Sequence, residues 1–92
     1  MATGDAVSQI YSVAAGATVT FQPAAGVEVC VTWILAGSYA YAYLTDGTNN
    51  AQIVYAGTFD GRVFITNARY LAFYNSGTSA IICAFSGVQT KG

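Results

Sequence analysis

Few side chains in this sequence can readily move a proton, hold a metal or attack an electrophile. They are Asp5, Glu28, Asp46 and Asp60, with Cys30 and Cys83, and there is no histidine. Two carboxylates held about 5–10 Å apart could cleave a glycosidic bond, but nothing in the spacing of these four pairs any two. Asp46 and Asp60 sit in turn sequences, where aspartate serves as a turn former. The "DGTNN" stretch from Asp46 to Asn50 lacks the D-x-[DN]-x-[DN]-G spacing and closing glutamate of a calcium loop. Without histidine there is no imidazole-based triad or proton shuttle, and two thiols alone cannot complete a four-ligand zinc site. The sequence therefore predicts no enzymatic activity, no metal and no cofactor.

The charge inventory narrows the partners. Charged residues are 8% of the chain, against about 25% in an ordinary soluble domain. Arg62, Arg69 and Lys91 are the only cations, too few and too scattered for a nucleic-acid face. A net charge of −1 does little to keep copies apart. The N-terminus "MATGDAVSQI" has no basic n-region followed by an apolar run, so no secretory signal is read there. The apolar window from Val27 to Leu44 is broken by Glu28, Thr32 and Gly37-Ser38, which argues for strands over a membrane helix. The expected setting is the cytosol, with Cys30 and Cys83 as buried, reduced thiols.

The elements that must position these groups are all strands. The 92 residues make one small domain that buries about 60–65% of its unfolded surface, a marginal core. Short Val-, Ile-, Tyr-, Phe- and Thr-rich runs separated by Gly, Asn, Asp and Ser predict eight strands: 7–13, 17–22, 27–36, 39–45, 51–56, 62–66, 69–75 and 80–88. Gly37-Ser38 and Asp60-Gly61 read as hairpin turns, and Asn67-Ala68 as a tight turn. Eight strands with regular turn signals predict an all-β fold, a compact antiparallel sandwich of jelly-roll type. An immunoglobulin arrangement fits less well, since Trp33 follows Cys30 by three residues and should point to the opposite face.

Two strands alternate cleanly: Val27, Val29, Val31, Trp33 and Leu35 against Glu28, Cys30 and Thr32, and Val19 and Phe21 against Thr18, Thr20 and Gln22. Three have no polar face. Tyr39, Tyr41 and Tyr43 oppose Ala40, Ala42 and Leu44; Tyr70, Ala72 and Tyr74 oppose Leu71 and Phe73; Ile81, Cys83 and Phe85 oppose Ile82 and Ala84. One sandwich has one interior, so strands apolar on both sides point to a second burying surface, most simply another subunit. The alternative places the tyrosines in a wide core. The residues assigned to a subunit or capsid interface are Tyr39, Tyr41, Tyr43 and Tyr74. Arg62 and Arg69, at strand starts, are either edge guards or links to a neighbour.

Several segments together resemble a known family. "FQPAAGVEV" (21–29), "YLTDGTNNA" (43–51), "FITNARYLAFYNSGTS" (64–79) and "FSGVQ" (85–89) are similar to small all-β virion proteins of tailed bacteriophages, of the capsid decoration (cement) type. The resemblance implies a jelly-roll module, commonly a homotrimer, on the outer capsid surface. It would be made in the host cytoplasm and would bridge capsomers by contact with the major capsid protein. It implies no catalytic residues, no nucleic-acid partner and no membrane. The whole chain, 1–92, is then one domain, with short terminal arms at about 1–8 and 89–92. Two other readings stay open: a carbohydrate- or receptor-binding tail module, with Tyr11, Tyr55, Tyr70, Tyr74 and Trp33 as stacking rings, and a tail or head–tail connector subunit.

Overall fold

The computed structural model describes residues 2–92, and it is all-β. The strands are β1 (Ala6–Val13), β2 (Thr18–Phe21), β3 (Glu28–Ala36), β4 (Ala40–Thr45), β5 (Asn50–Tyr55), β6 (Thr58–Ile65), β7 (Tyr70–Asn75) and β8 (Ile81–Lys91). They form two antiparallel four-stranded sheets: sheet I in the order β1-β8-β3-β6 and sheet II in the order β2-β7-β4-β5. Each sheet pairs first with last: β1 with β8, β2 with β7, β3 with β6 and β4 with β5. That is one long hairpin folded over on itself, the jelly-roll arrangement of a β-sandwich.

The core lies between the sheets. Val13, Val29, Val31, Ile34, Ile65 and Phe85 from sheet I meet Leu71, Phe73, Ala40 and Ala42 from sheet II, all essentially inaccessible. Two aromatic contacts bridge the layers, Phe21–Phe85 at 4.7 Å and Tyr11–Phe73 at 5.8 Å between ring centroids. Packed sheets stand about 10 Å apart, and where Phe73 and Phe85 reach inward β4 presents the small Ala40 and Ala42, with Leu44 also turned inward further along. The alternation of β4 is thereby resolved: Ala40 and Ala42 face in, and the tyrosines face out.

Eight strands form as expected, but β6 begins four residues before the expected Arg62 and β8 runs three residues past the expected Val88. Three local expectations are also corrected. Gly37-Ser38 is not a hairpin, because β3 and β4 belong to different sheets. It belongs to a corner closed by Ala40 N–H donating to the Gly37 carbonyl at 2.9 Å, with Tyr39 at φ 65°. Gly37 is needed there for space, since a Cβ would strike Ile81 and lie 2.6 Å from the Ile82 carbonyl. Asp60-Gly61 is not a turn either. It lies within β6, whose inward Phe59, Val63 and Ile65 hold the strand against β3 on both sides of the pair.

The third correction concerns β3. Its register shifts between Val31 and Trp33 against both neighbours. Against β8 the extra residue is Thr32, a bulge in β3, while against β6 the extra residue lies on β6, at Gly61 and Arg62. The Thr32 hydroxyl donates to the Ser86 carbonyl. A bulge adds one residue and so reverses the phase of alternation beyond it. Val29 and Val31 face in, then Ile34 and Ala36. Trp33 and Leu35 therefore do not share a face with Val29, and Trp33 ends on the same outer face as Cys30. At the bulge β8 comes so close that a Cβ on Gly87 would collide with the Cys30 carbonyl and lie 2.9 Å from the Val31 Cα.

The segments expected as arms are mostly tied down. Residues 6–8 lie in β1 and residues 89–91 in β8. The Gly4 N–H donates to the Gln89 carbonyl at 2.7 Å, and the Gln89 N–H to the Asp5 carbonyl at 3.0 Å. Met1 lies outside the described residues.

Candidate functional site

Three of the four carboxylates are held in local hydrogen bonds. Asp46 accepts from the Thr48 and Asn49 backbone N–H groups at 2.9 and 2.6 Å, closing the β4–β5 loop, and these bonds hold its carboxyl below the usual range. Asp5 accepts from the Ala2 N–H at 2.8 Å. Glu28, opposite Lys91 in register, accepts from the Thr90 hydroxyl at 2.8 Å. Among the described residues, no three carboxylate, thiol or imidazole groups gather at one point. Cys83 faces the core and Cys30 the outer side of the same sheet, and both thiols are free. Burial pushes the Cys83 thiol up, partly offset by a backbone hydrogen bond with Gly37. Burial also raises the Tyr11 phenol, whose ring lies inside against Phe73.

What remains for interaction is the two outer faces, and they differ in kind. On sheet I, two largely apolar rows of residues opposite one another in register flank a more polar one of Ser8, Ser86, Trp33 and Asp60. Ala6, Val88, Cys30 and Phe64 make the first apolar row, and Ile10, Ala84, Leu35 and Thr58 the second. Ile82 stands beside them on β8. Ile10 is 76% exposed and Phe64 51%, with Ile82 and Val88 also open to solvent. These side chains carry no polar atom, so water offers them nothing. Sequence alternation alone hid this face. On their own strands' outer sides Ile10 lies between Ser8 and Ser12 and Phe64 between Arg62 and Thr66, and both meet apolar companions only through strand pairing.

On sheet II the outer face is tyrosine. Thr18, Tyr74, Tyr41 and Tyr55 form one row, Thr20, Ala72, Tyr43 and Gln52 the next, and Tyr70, Thr45 and Asn50 a third. Five of the chain's seven tyrosines thus share one surface. The Tyr41 and Tyr55 rings lie 4.5 Å apart and those of Tyr41 and Tyr74 6.3 Å apart, the latter pair within 24° of parallel. A bulge at Ile53, where the register slips between Ala42 and Tyr43, turns Tyr55 and Gln52 both outward. Tyr41, Tyr43, Tyr74, Asn50 and Gln52 line a shallow groove of about 280 Å³. Asn50 is shared with a second depression of about 190 Å³ that reaches Asp46, Asn49 and Arg69.

Of the residues expected at an interface, the structure brings Tyr41, Tyr43 and Tyr74 together. Tyr39 stands apart, in the β3–β4 corner, where its carbonyl accepts from Ser76 N–H and hydroxyl. Arg62 is exposed on edge strand β6, two positions from Phe64 and so at the rim of the apolar face. Arg69 lies in the β6–β7 turn, which Thr66 closes by accepting its N–H. Among the proposed stacking rings, Tyr55, Tyr70 and Tyr74 fall on the tyrosine face; Tyr11 points inward and Trp33 lies on the other sheet. No family model matches the chain, and no curated protein matches it.

Proposed function

We propose that this chain is a structural virion protein of the capsid decoration type, working as a homotrimer on the outer surface of a tailed-phage head. The observation that carries the reading is the uncovered apolar face of sheet I, with Ile10, Phe64, Ile82 and Val88 open on a small jelly roll. Two apolar rows on one face, separated by Ser8, Ser86, Trp33 and Asp60, are more apolar surface than a stable monomer usually leaves in water. The resemblance of the loop and strand segments to decoration proteins supplies the virion setting, and the fold agrees with that resemblance.

The mechanism is avidity. The apolar face packs on the neighbouring subunit, with Arg62 at its rim, and the rigid trimer then joins adjacent capsomers through several modest contacts with the major capsid protein. Association also strengthens a core that is marginal in one subunit. Tyrosine is the less demanding face, because a phenol that keeps its hydroxyl in water tolerates exposure.

Light scattering coupled to size exclusion, followed by co-sedimentation with undecorated expanded capsids, tests the reading. It expects a trimer that saturates the capsids and loses both properties when Phe64→Ser and Ile82→Ser are combined. A stable monomer that stays in the supernatant would overturn it.

A further inference from the structure

The tyrosine face has the makings of a second site, unrelated in chemistry to the apolar face of sheet I. Its rings are presented from three adjacent strands on a rigid sheet: Tyr74 from β7, Tyr41 and Tyr43 from β4, and Tyr55 from β5. The Tyr41 and Tyr74 rings lie 6.3 Å apart and within 24° of parallel, and they line one groove together with the amides of Asn50 and Gln52.

The lining decides the ligand class. Apart from the phenols, no ionisable side chain lines the groove among the described residues, so a charged ligand would find no partner in that lining. Single-stranded nucleic acid also stacks on aromatic rings, but it needs a cationic track for its phosphates. Arg69, in the neighbouring depression, is the one cation nearby. An aliphatic ligand would leave two amides and several hydroxyls unpaired. A pyranose satisfies both halves of the surface. Its C–H face packs on an aromatic ring, and its edge of hydroxyls both donates and accepts, as side-chain amides do.

We propose that the outer face of sheet II binds a neutral oligosaccharide, one pyranose lying against the Tyr41 and Tyr74 rings with Asn50 and Gln52 taking its hydroxyls. The next sugar along the chain extends over Asn50 toward Asn49 and Asp46. The site goes beyond the decoration reading and does not depend on it, since it is complete within one subunit. A trimer closed through sheet I leaves it facing outward.

The test uses the full chain without capsids, titrated with cellohexaose, mannohexaose and N-acetylchitohexaose by calorimetry and by amide NMR spectra. The expected result is saturable binding of at least one of the three, with shifts centred on β4, β5 and β7. Tyr41→Ala combined with Tyr74→Ala should weaken it by about tenfold or more, and Gln52→Ala by about threefold, in line with loss of stacking and of one hydrogen bond. Tyr41→Phe should keep most of the affinity, and Ile82→Ser, on the other sheet, all of it. Gln52 is exposed on an edge strand, so its variant reports on the site even where the double tyrosine variant fails to fold. Three outcomes would overturn the proposal: no saturable signal up to about 10 mM, where even weak sugar sites show binding; binding indifferent to Gln52→Ala and to loss of the rings; or dissociation of an oligomer by Gln52→Ala, which would mean that a second copy occupies the face. The first two leave capsid co-sedimentation untouched, and the third moves the subunit contact to sheet II without deciding capsid binding, so the two readings fail separately.

Discussion

The Asn75 Nδ2 donates to the Val13 carbonyl at 3.0 Å, joining the end of β7 to the end of β1 across 62 positions of chain. The same nitrogen donates to the Ser79 carbonyl at 2.7 Å, and Oδ1 accepts the Gly77 N–H at 2.8 Å. The Asn75 backbone completes the junction, its N–H donating to the Ala17 carbonyl and its carbonyl accepting the Gly16 N–H. One buried amide therefore ties both sheets and the "NSGTS" loop at one end of the sandwich. Asn75→Ala leaves the Val13 and Ser79 carbonyls and the Gly77 N–H without these partners. It should lower unfolding free energy by about 3 kcal/mol, read from the urea midpoint. Asn75→Asp should fail similarly, because a carboxylate cannot donate.

The apolar face of sheet I should be separable from stability. Ile10 projects into solvent from edge strand β1, so Ile10→Ser should change the subunit's own unfolding free energy by no more than about 0.5 kcal/mol. Its particle mass should nevertheless fall toward one subunit. A variant that unfolds while keeping its mass would show that Ile10 supports the fold and not the interface.

The two thiols should report on opposite sides of one sheet. Cys30 lies in an outer row between Phe64 and Val88, whereas Cys83 faces the core opposite Tyr11 and Ala36. Phe64→Ala should open Cys30 to a maleimide while Cys83 stays unmodified until the chain unfolds. Mild oxidation should give no intramolecular bridge, because a disulfide requires Cβ atoms that approach each other. Mass spectrometry of the labelled chain distinguishes the sites.

Acid and alkali should act through different groups. The folded carboxyl of Asp46 is held low by the Asn49 and Thr48 N–H groups. Its contribution is therefore present above the ordinary aspartate pKa, near 4, and is lost as pH falls through the folded value. Asp46→Asn should flatten the acid limb of the stability profile. Cys83 and Tyr11 are raised by burial. What they contribute is complete below their unfolded values, about 8.5 and 10, and is lost as pH rises through the raised folded ones. Cys83→Ala should therefore shift the onset of alkaline unfolding upward, as followed by circular dichroism.

Strand number and most strand positions were legible because alternation and turn residues report local backbone; β6, which starts at Thr58, is the main exception. The sandwich followed from their number and spacing. Facing was less legible. Thr32 has no feature that marks a bulge, so the second half of β3 reads with the wrong side inward, and Trp33 and Leu35 are misplaced with it. The β4 alternation of alanine with tyrosine is compatible with either orientation. Only Phe73 and Phe85, arriving from other strands to fill the gap, decide it. Asp60-Gly61 carries a strong local turn signal that pairing with β3 overrides. Of the apolar face of sheet I, only Ile82 and Ala84 on β8 stand out in the sequence; its other members, Val88 apart, come from β1, β3 and β6, which no local window contains.

The first-with-last pairing of strands also dictates how the chain must find its structure. Only β4 and β5 are neighbours in both sequence and sheet, so their hairpin closes a short loop, while β1 against β8 must close one spanning nearly the entire chain. Loop-closure entropy makes the outer pairs the last to reward their ordering. Formation should thus proceed outward from the β4–β5 turn, slowly for a domain this small. Substitutions in β4 and β5 should slow refolding, and those in β1 and β8 should chiefly hasten unfolding, as stopped-flow traces would resolve. During synthesis β1 must wait for β8, and in that interval the aliphatic strand residues of both are uncovered. The opportunity for one copy to capture another is therefore greatest before the fold is closed.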